Sequence, residues 1–290
     1  IQADRSLRLS RSPWGGPSLF FARQQGQTFV CSIPRPIFAA GFPKRLIAGQ
    51  LTDLALRVED VGDEDHWYEG LRRVPHGSIV MLDKDGEARR QWYDPHAVAP
   101  VRLADDEAYE AAARDLLTES VARALATTKR PAMLLSGGLD SALAASEVLA
   151  QLPDGRRLPG FTVVPVPAWD GWCLRGWYGD EEARVRAFAA RHPALDAHFV
   201  QPPADGFTHA LDRMMLATDT ARAAHAPSTL FHGAYAAAAA AGCDTVFDAV
   251  SGNETFSNEG RWAYAEYARR LRWRELAALL ANQPGDTRPM

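Results

Sequence analysis

Short apolar runs alternate with polar turn residues in the first third of the chain, which is the pattern of antiparallel strands. The runs Leu19–Ala22 and Thr28–Ile33 flank a polar segment, Arg23–Gln27, and predict a hairpin. A second hairpin is predicted from Ser78–Leu82 and Ala88–Tyr93, because the residues between them contain Asp-Gly, a favoured turn dipeptide. The first third is therefore expected to consist mainly of β-structure.

The pattern changes near residue 95. Ile47–Leu56 is the one segment before it with helical spacing, and Pro95–Pro100 has the composition of a linker. Asp105–Lys129 then carries apolar residues at helical spacing, with acidic residues at its start and a basic one at its end, as the helix dipole favours. Strands and helices alternate after it. The predicted strands are Ala132–Leu135, Gly160–Val166, His198–Val200 and Thr245–Val250, and the predicted helices are Ser141–Leu152, Asp180–Arg191, Phe207–Thr218, Ser228–Ala241 and Arg261–Leu280.

Alternation of this kind predicts an α/β fold with a doubly wound parallel sheet. We expect two domains, a β-rich one over residues 1–98 and an α/β one over residues 99–290. The alanines at 236–241 are interpreted as a closely packed helix face. Because the chain begins with Ile1 and ends soon after its last helical segment, we expect it to be a fragment, cut at both ends.

The composition and charge argue against several classes of function. A formal net charge of -4, with no long run of Lys or Arg, argues against nucleic-acid binding, and Arg269–Arg274 is interpreted as a solvated helix face. Three cysteines without Cys-x-x-Cys spacing argue against a disulfide framework and a zinc site, and favour reduced thiols in the cytoplasm. The sequence has no signal-peptide-like start and no apolar stretch of membrane-spanning length, so no membrane partner is expected.

The segment most indicative of chemistry is Leu134–Ser141, Leu-Leu-Ser-Gly-Gly-Leu-Asp-Ser, between a predicted strand and a predicted helix. Glycines let the backbone N–H groups of such a loop approach a phosphate chain, and the N-terminus of the following helix attracts the anion. Ser136 and Ser141 can donate hydroxyl hydrogen bonds to it. Asp140 would repel bare phosphate, which indicates a bridging Mg²⁺. A purely structural glycine turn is the alternative, which a lone Gly-Gly would favour and this full motif does not.

This loop resembles the pyrophosphate loop of the N-type ATP pyrophosphatases, which include asparagine synthetase, β-lactam synthetase, GMP synthetase, NAD synthetase and several tRNA-modifying enzymes. Members of this group cleave ATP between the α and β phosphates and form an adenylated intermediate. The resemblance implies an adenine nucleotide alpha hydrolase-like fold for the α/β domain. It also implies that ATP is bound by Leu134, Ser136, Gly137, Gly138, Leu139, Asp140 and Ser141.

Segments before the loop resemble the asparagine synthetases in particular. Ser18–Phe21, Val74–Ser78 and Gln91–Tyr93 are similar, in order and spacing, to segments at the end of the amidotransferase-type domain of that family. The first domain is therefore expected to be the C-terminal part of an Ntn-type, amidotransferase-like domain. After the loop, Gly160–Val163 resembles the strand beside the adenine, so Val163 is a candidate nucleotide contact; an ordinary core valine is the equal alternative.

The second motif of the asparagine synthetases is altered in this chain. The family motif reads Ser-Gly-x-Gly-[Gly/Ser]-Asp-Glu-[Leu/Val]-Phe, and its Asp helps to hold Mg²⁺. In an alignment on Glu254 and Phe256, Asn253 replaces that Asp; an amide oxygen can still bind a hard cation but adds no charge. A helix N-cap is the alternative role for Asn253. The resemblance implies Asp140 and Asn253 as metal ligands, Asp140, Asn253 and Glu254 as catalytic residues, and Ser251 and Gly252 as nucleotide contacts.

The run Gly252–Gly260 has the pattern Gly-Asn-x-Thr-x-Ser-x-x-Gly, which resembles a variant in asparagine-synthetase-like proteins of peptide-modifying systems, including lasso-peptide cyclases. Those enzymes adenylate a side-chain carboxylate of a precursor peptide, which the N-terminal amine of the peptide then attacks. The function implied is an ATP-dependent amide ligase that adenylates aspartate or a peptide Asp or Glu side chain, releases pyrophosphate, and forms an amide with ammonia or an amine. The choice between a cyclase and a glutamine-hydrolysing asparagine synthase stays open, as does the oligomeric state, with a homodimer as one option.

Three alternatives remain. A tRNA-modifying pyrophosphatase would share the loop, but is expected to be more basic and often carries paired cysteines. A catalytically degenerate nucleotide-binding protein is favoured by Asn253. A hydrolase would need a nucleophile–base pair, and the histidines between His192 and His232 show no triad or metal spacing. Glutamine hydrolysis would need an N-terminal Cys, which Ile1 is not and for which Cys31, inside a predicted strand, is a poor substitute.

Two further segments are each open to two interpretations. Asp180 and Glu181 resemble the Asp-Glu pair that begins a helix in the family, and also fit helix-starting acids without a further role. Trp169–Tyr178, with three tryptophans, fits either a lid or wall of the substrate pocket or a packed loop.

Overall fold

The computed structural model describes residues 6–14, 17–55, 66–173, 178–202, 206–219, 225–250, 252 and 262–281. The chain forms two compact units. One consists of Ile1–Arg102 and Asp205–Thr229, and the other of Leu103–Ala204 and Leu230–Met290. The segment Asp205–Thr229 thus belongs to the first unit, although the α/β alternation has already begun before it in the sequence. The division into named domains at residues 98 and 99 stays a prediction.

Within the described residues, β-structure dominates the first part of the chain and alternates with helices in the second. The strands are β1 (Leu7–Ser10), β2 (Phe20–Gln24), β3 (Gln27–Cys31), β4 (Arg72–Arg73), β5 (Ser78–Leu82), β6 (Glu87–Gln91), β7 (Pro131–Leu134), β8 (Leu158–Val163), β9 (Leu195–Val200) and β10 (Thr245–Phe247). The helices are α1 (Arg35–Ala39), α2 (Ala48–Ala55), α3 (Asp106–Leu125), α4 (Leu139–Gln151), α5 (Glu182–Arg191), α6 (Gly206–Thr218), α7 (His225–Ala240), α8 (Trp262–Arg269) and α9 (Trp273–Ala281). None of these described helices is long and apolar enough to span a membrane.

The two predicted hairpins are confirmed in the first unit, where the sheets have the orders β1-β5-β6 and β3-β2-β4. The first hairpin is tighter than predicted. Gln24 pairs with Gln27, so Gln25 and Gly26 alone form the turn, with φ of 49° and 76°. Positive φ at both positions is the geometry of a type I′ turn, whose twist matches that of the strands. The predicted turn over Arg23–Gln27 is wrong because its polar flanks belong to the strands, where their side chains remain at the surface.

His66 is a buried imidazole in the first unit. Its side chain is 5% exposed, stacks on the ring of Tyr68 and meets the ring of Phe20 edge-on. Neither ring nitrogen has a hydrogen-bond partner among the described residues. Burial, with a smaller contribution from the nearby charge of Arg73, lowers the pKa of His66 to about 4.

We predict that acid destabilises the protein through His66. The pKa of His66 in the folded state lies below the usual 6.5, so between pH 6.5 and pH 4 the unfolded chain binds a proton at this residue and the folded chain does not. The free energy of unfolding therefore decreases as the pH falls through this window. The loss is at most about 3 kcal/mol. His66→Phe, which keeps the ring packing, should therefore flatten the dependence of the urea midpoint on pH between pH 7 and pH 4.5. His96→Gln, at an exposed position, is the control; equal acid sensitivity in native protein and His66→Phe would contradict this role.

Four parallel strands form the sheet of the second unit, in the order β10-β7-β8-β9. From β7 the chain adds β8 and β9 on one side, and then places β10 on the other side of β7. Open α/β sheets bind ligands at the carboxyl ends of their strands, where the strand order reverses in this way. The predicted α/β class is therefore confirmed, with a four-stranded parallel sheet, and β7 and β10 flank the reversal.

Helices pack against both faces of this sheet. Met133 on β7 belongs to a buried cluster with residues of α3, α4 and α5, whereas Ala132 and Leu134 belong to a cluster with residues of α7. On α7, Ala234 and Ala238 are each 1% exposed. Their small side chains allow the helix to approach the sheet closely. The expectation for residues 236–241 is confirmed only in part, because Ala237 and Ala238 pack against this cluster whereas the other four alanines are exposed.

The predicted single helix Arg261–Leu280 is wrong, because α8 ends before α9 begins. Leu271 leaves α8 with a φ of 56°, and the N–H of Arg272 donates to the carbonyl of Tyr267 at 2.8 Å. The Leu271 N–H also donates to a carbonyl of the last turn, that of Ala268, at 3.1 Å. These bonds form a Schellman cap, which glycine usually marks in a sequence. Leucine at this position gives no such signal.

The basic run Arg269–Arg274 lies at this junction. Arg269 and Arg270 form ion pairs with Glu266, and Arg272 pairs with Glu275. These exposed pairs, between residues three or four positions apart, support the interpretation of the run as a solvated helical surface.

Candidate nucleotide-binding site

The loop between β7 and α4 is held in a compact turn by the hydroxyl of Ser141. Ser141 Oγ accepts the N–H of Ser136 at 3.2 Å and lies 2.8 Å from Ser136 Oγ. It also lies within donating distance of the carbonyl oxygens of Ser136, at 2.9 Å, and Gly138, at 3.1 Å. The Gly138 N–H in turn donates to Ser136 Oγ at 3.2 Å. The two serines thus fix the path of the loop; their donation to phosphate stays a prediction.

Helix α4 begins directly after this turn. Its N-cap residue is Gly138, which has no side chain to accept from the first N–H groups of the helix. Such N–H groups have no partner inside a helix, and together with the helix dipole they attract anions. The loop and the start of α4 therefore offer backbone donors of the kind that a phosphate chain needs.

A cavity of about 510 Å³ lies at this loop. Its walls come from the carboxyl ends of β7, β8 and β10, which is the place expected from the reversal of strand order. The volume is within the range of small-molecule sites. The predicted residues that line it are Leu134, Ser136, Gly138, Leu139, Asp140, Ser141 and Val163.

Gly137, also a predicted contact, is not part of the lining. The space beside its Cα is filled by the side chain of Arg184, because a Cβ on Gly137 would lie 2.8 Å from Arg184 Cδ. A larger residue at this position would require a shift of the Arg184 side chain, of the loop or of α5.

Gly252 packs directly on Asp140. A Cβ built on Gly252 would lie 2.7 Å from Asp140 Cγ and closer still to Asp140 Oδ2. The structure therefore brings together the acidic residue of the phosphate loop and the glycine of the second motif, which are far apart in sequence. The predicted residues Ser251, Asn253 and Glu254 lie outside the described residues.

Comparison with protein families decides which group of nucleotide-binding proteins this is. The family model described as asparagine synthase matches residues 112–288, more than half of the chain, and the match includes the loop and the second motif. The chain belongs to the asparagine synthase family. Membership of this family supports an ATP-dependent amide ligase, and ATP binding is implied. A comparison with curated proteins gives no significant match.

Six residues that line this cavity were not predicted as site residues. They are Leu135, Glu181, Phe231, Asp248, Ala249 and Val250. The last three follow β10, which ends at Phe247 and not at Val250 as predicted, so they form a loop at the sheet edge. The alignment of the second motif could have indicated Asp248. Asn253 aligns with the Asp of the family motif, and Asp248, five positions earlier, aligns with the Ser that begins the motif. Phe231, on α7, belongs to no motif.

Asp248 is a fixed acceptor in the cavity wall. Its Oδ1 accepts the N–H of Val250 at 3.2 Å, and its Oδ2 accepts the hydroxyl of Tyr235 at 3.3 Å. A carboxylate repels phosphate and accepts from hydroxyl groups, so this part of the cavity suits a sugar better than a phosphate.

Mg²⁺, which generally accompanies ATP in the asparagine synthase family, has a fitting ligand in Asp140. Within the described residues, no group of three or more His, Cys, Asp or Glu side chains could hold an ion by itself. Mg²⁺ is commonly bound by one or two carboxylates together with substrate phosphates. Asp140, which lines the cavity from the phosphate loop, fits this mode of binding, and Asn253 stays the predicted second ligand.

Proposed function

We propose that this protein uses ATP to activate a carboxylate and converts it into an amide. In this reaction the carboxylate oxygen attacks the α phosphorus and the bond to the β phosphate breaks, so that pyrophosphate leaves. The nitrogen of ammonia or an amine then attacks the acyl carbon, loses a proton and displaces AMP. The observation that carries the proposal is the phosphate loop at the cavity where the strand order reverses, within the span matched by the family.

The loop residues have the leading role in the first step. Backbone N–H groups at the start of α4 stabilise the negative charge that develops on the leaving pyrophosphate. The hydrogen bonds between Ser136 and Ser141 hold these donors in place, so little reorganisation accompanies the reaction. Mg²⁺, when bound, neutralises phosphate charge, and Asp140 and Asn253 are the residues proposed to hold it. Glu254 is the further residue proposed to act in catalysis.

We also propose a finer description of the fold. The strand order β9-β8-β7-β10, with helices against both faces, supports a doubly wound, adenine nucleotide alpha hydrolase-like domain. The two antiparallel sheets of the first unit support the end of an Ntn-type, amidotransferase-like domain.

The substrate proposed is the side-chain carboxylate of a peptide, with an amine of the same peptide as the attacking group. The Gly-Asn-x-Thr-x-Ser pattern from Gly252 supports this choice over free aspartate and ammonia. The finer assignment is therefore a macrolactam-forming cyclase acting in the cytoplasm, with glutamine-dependent asparagine synthesis as its rival.

The test is exchange of labelled pyrophosphate into ATP by the full chain with Mg²⁺. We expect exchange that depends on an added carboxylate, with peptides that carry Asp or Glu more effective than aspartate. ATP binding without exchange, for every carboxylate tried, would overturn the proposed activation step. Exchange with aspartate alone would overturn the peptide assignment and keep the ligase.

A substitution at Asn253 tests whether the protein is an active ligase or a degenerate nucleotide-binding protein. If the amide oxygen of Asn253 binds Mg²⁺, Asn253→Asp adds a charge to a working site and should lower the Mg²⁺ concentration for half-maximal exchange several-fold. Exchange that appears only in Asn253→Asp, and not in the native chain, would show that the native protein is degenerate.

A further inference from the structure

Arg184 lies against the phosphate loop, although no sequence motif marks it. A Cβ on Gly137 would lie 2.8 Å from Arg184 Cδ and 3.0 Å from Arg184 Cβ, so the stem of the arginine covers this glycine. The guanidinium carbon is two bonds beyond Cδ, which places a positive charge at the edge of the loop. Glu181, the N-cap residue of α5, packs on the same glycine and forms part of the cavity wall.

The guanidinium of Arg184 is held by an aromatic ring. Its Cζ lies 3.4 Å from the centroid of the Tyr178 ring. No carboxylate of the described residues forms an ion pair with it. Stacking covers one face of the planar group and leaves the N–H donors along its edge available to another partner. Phosphate oxygens match this fork of donors in geometry and in charge.

The backbone next to Tyr178 is packed against an aromatic side chain. The ring of Trp169 packs so closely on Gly179 that a Cβ there would overlap with it. Trp169 Nε1 also donates to the carbonyl of Trp172 at 3.2 Å. The contacts therefore run from Trp169 through Gly179 and Tyr178 to Arg184 and the phosphate loop.

Arg186, on the same helix, differs from Arg184 because it forms an ion pair. It stacks on the ring of Phe199, at 4.3 Å, and also pairs with Glu182 at 2.6 Å. Both arginines are exposed on α5 and both lie over a ring. The charge of Arg186 is paired with that of Glu182 on the same helix, whereas the charge of Arg184 lies beside the candidate phosphate loop.

We propose that Arg184 binds the pyrophosphate part of ATP and stabilises it as the leaving group, with Tyr178 as its positioning residue. This inference rests on the proposed function. Negative charge on the pyrophosphate grows as the bond between the α and β phosphates breaks, so the arginine favours the transition state over bound ATP. It also raises the affinity for free pyrophosphate, which is the substrate of the reverse reaction.

The experiment compares Arg184→Gln and Arg184→Lys with Arg186→Gln in the full chain. Calorimetric titration with magnesium pyrophosphate gives a readout that needs no turnover, and titration with adenosine reports whether the cavity is intact. We expect Arg184→Gln to weaken pyrophosphate binding by about tenfold or more. Arg184→Lys should recover part of this loss, Arg186→Gln should bind like the native protein, and adenosine affinity should stay unchanged throughout.

Tyr178 gives a second, independent pair of variants. Tyr178→Phe keeps a ring under the guanidinium and should bind pyrophosphate like the native protein, whereas Tyr178→Ala should weaken binding several-fold. The KM for pyrophosphate in the exchange reaction should follow the same order. Equal binding by Tyr178→Ala and native protein would overturn the positioning role.

The outcomes separate this inference from the proposed function. If the native protein catalyses exchange but Arg184→Gln binds pyrophosphate like the native protein, the role of Arg184 is overturned and the ligase stands. If Arg184 is needed for pyrophosphate binding but no carboxylate supports exchange, the contact of Arg184 with phosphate is supported and the proposed ligase activity is overturned. If Arg186→Gln loses as much affinity for pyrophosphate as Arg184→Gln, the effect comes from the net charge of α5, and the role assigned to Arg184 is overturned.

Discussion

Replacing Gly252 with alanine should lower the rate of ATP–pyrophosphate exchange by about a hundredfold or more. The added Cβ would overlap with the carboxylate of Asp140, so that either this side chain or the backbone at Gly252 must move. Asp140 is the described carboxylate on the phosphate loop that fits Mg²⁺, and a displaced ligand loses geometry that the metal demands. The rate is measured at saturating ATP and at several Mg²⁺ concentrations, where the loss should be only partly restored by excess Mg²⁺.

Gly49→Ala is the matched control, because a Cβ there meets no atom within 4 Å and the residue lies in α2, where alanine favours the helix. A double-mutant cycle identifies the cause. In an Asp140→Gly background the whole side chain is absent, including the Cβ that would lie 3.0 Å from the added one, so Gly252→Ala should cost little more and the two losses should not add. Fully additive losses would mean that Gly252 acts by some route other than Asp140.

The phosphate loop could be predicted because its chemistry is contained in one uninterrupted segment. Leu134–Ser141 carries the glycines, the hydroxyls and the acidic residue together, and its place between a strand and a helix follows from local periodicity. The contact of Asp140 with Gly252 could be anticipated only through the resemblance to a two-motif family, since nothing local relates the two positions. Val163 was predicted in the same way, and it lines the cavity.

The remaining cavity residues depend on where elements end and on long-range packing. Asp248 reaches the cavity because β10 ends at Phe247, and apolar periodicity alone extends that strand to Val250. Phe231 is one of many apolar residues on an alanine-rich helix, so its place depends on how α7 packs on the sheet. Arg184 carries no motif, and its contact with Gly137 exists only in the folded chain.

Errors in the predicted elements also have physical causes, some local and some tertiary. The break after α8 is a Schellman cap with Leu271 in the position where glycine is usual, so apolar spacing continues across it. Helix α1 was not predicted; Pro34 is its N-cap residue and Pro36 lies in its first turn, a place in a helix where proline is tolerated. The membership of Asp205–Thr229 in the first unit is a tertiary property with no local pattern.

Ser141→Ala should weaken ATP binding by about ten- to a hundredfold while adenosine binding stays close to native. Ser141 is 5% exposed and its hydroxyl is the acceptor for the Ser136 N–H, so its removal leaves a partly buried donor without this partner. Such a loss costs about 1–3 kcal/mol, and about 1.4 kcal/mol corresponds to a factor of ten in affinity. The cost falls on the loop conformation that presents its N–H groups to phosphate, which is why adenosine is spared.

Ser146→Ala separates this effect from the general loss of a serine on α4. Its hydroxyl donates to the carbonyl of Ala142 within the same helix, at 2.8 Å. Titration of the two variants with ATP and with adenosine should show a loss only for ATP and only in Ser141→Ala. Because the hydrogen bonds of Ser141 act before the substrate arrives, Ser141→Ala should raise the KM for ATP more than it lowers kcat. A lower kcat with an unchanged KM would mean instead that Ser141 acts on the transition state, as a direct hydroxyl donor to the departing pyrophosphate.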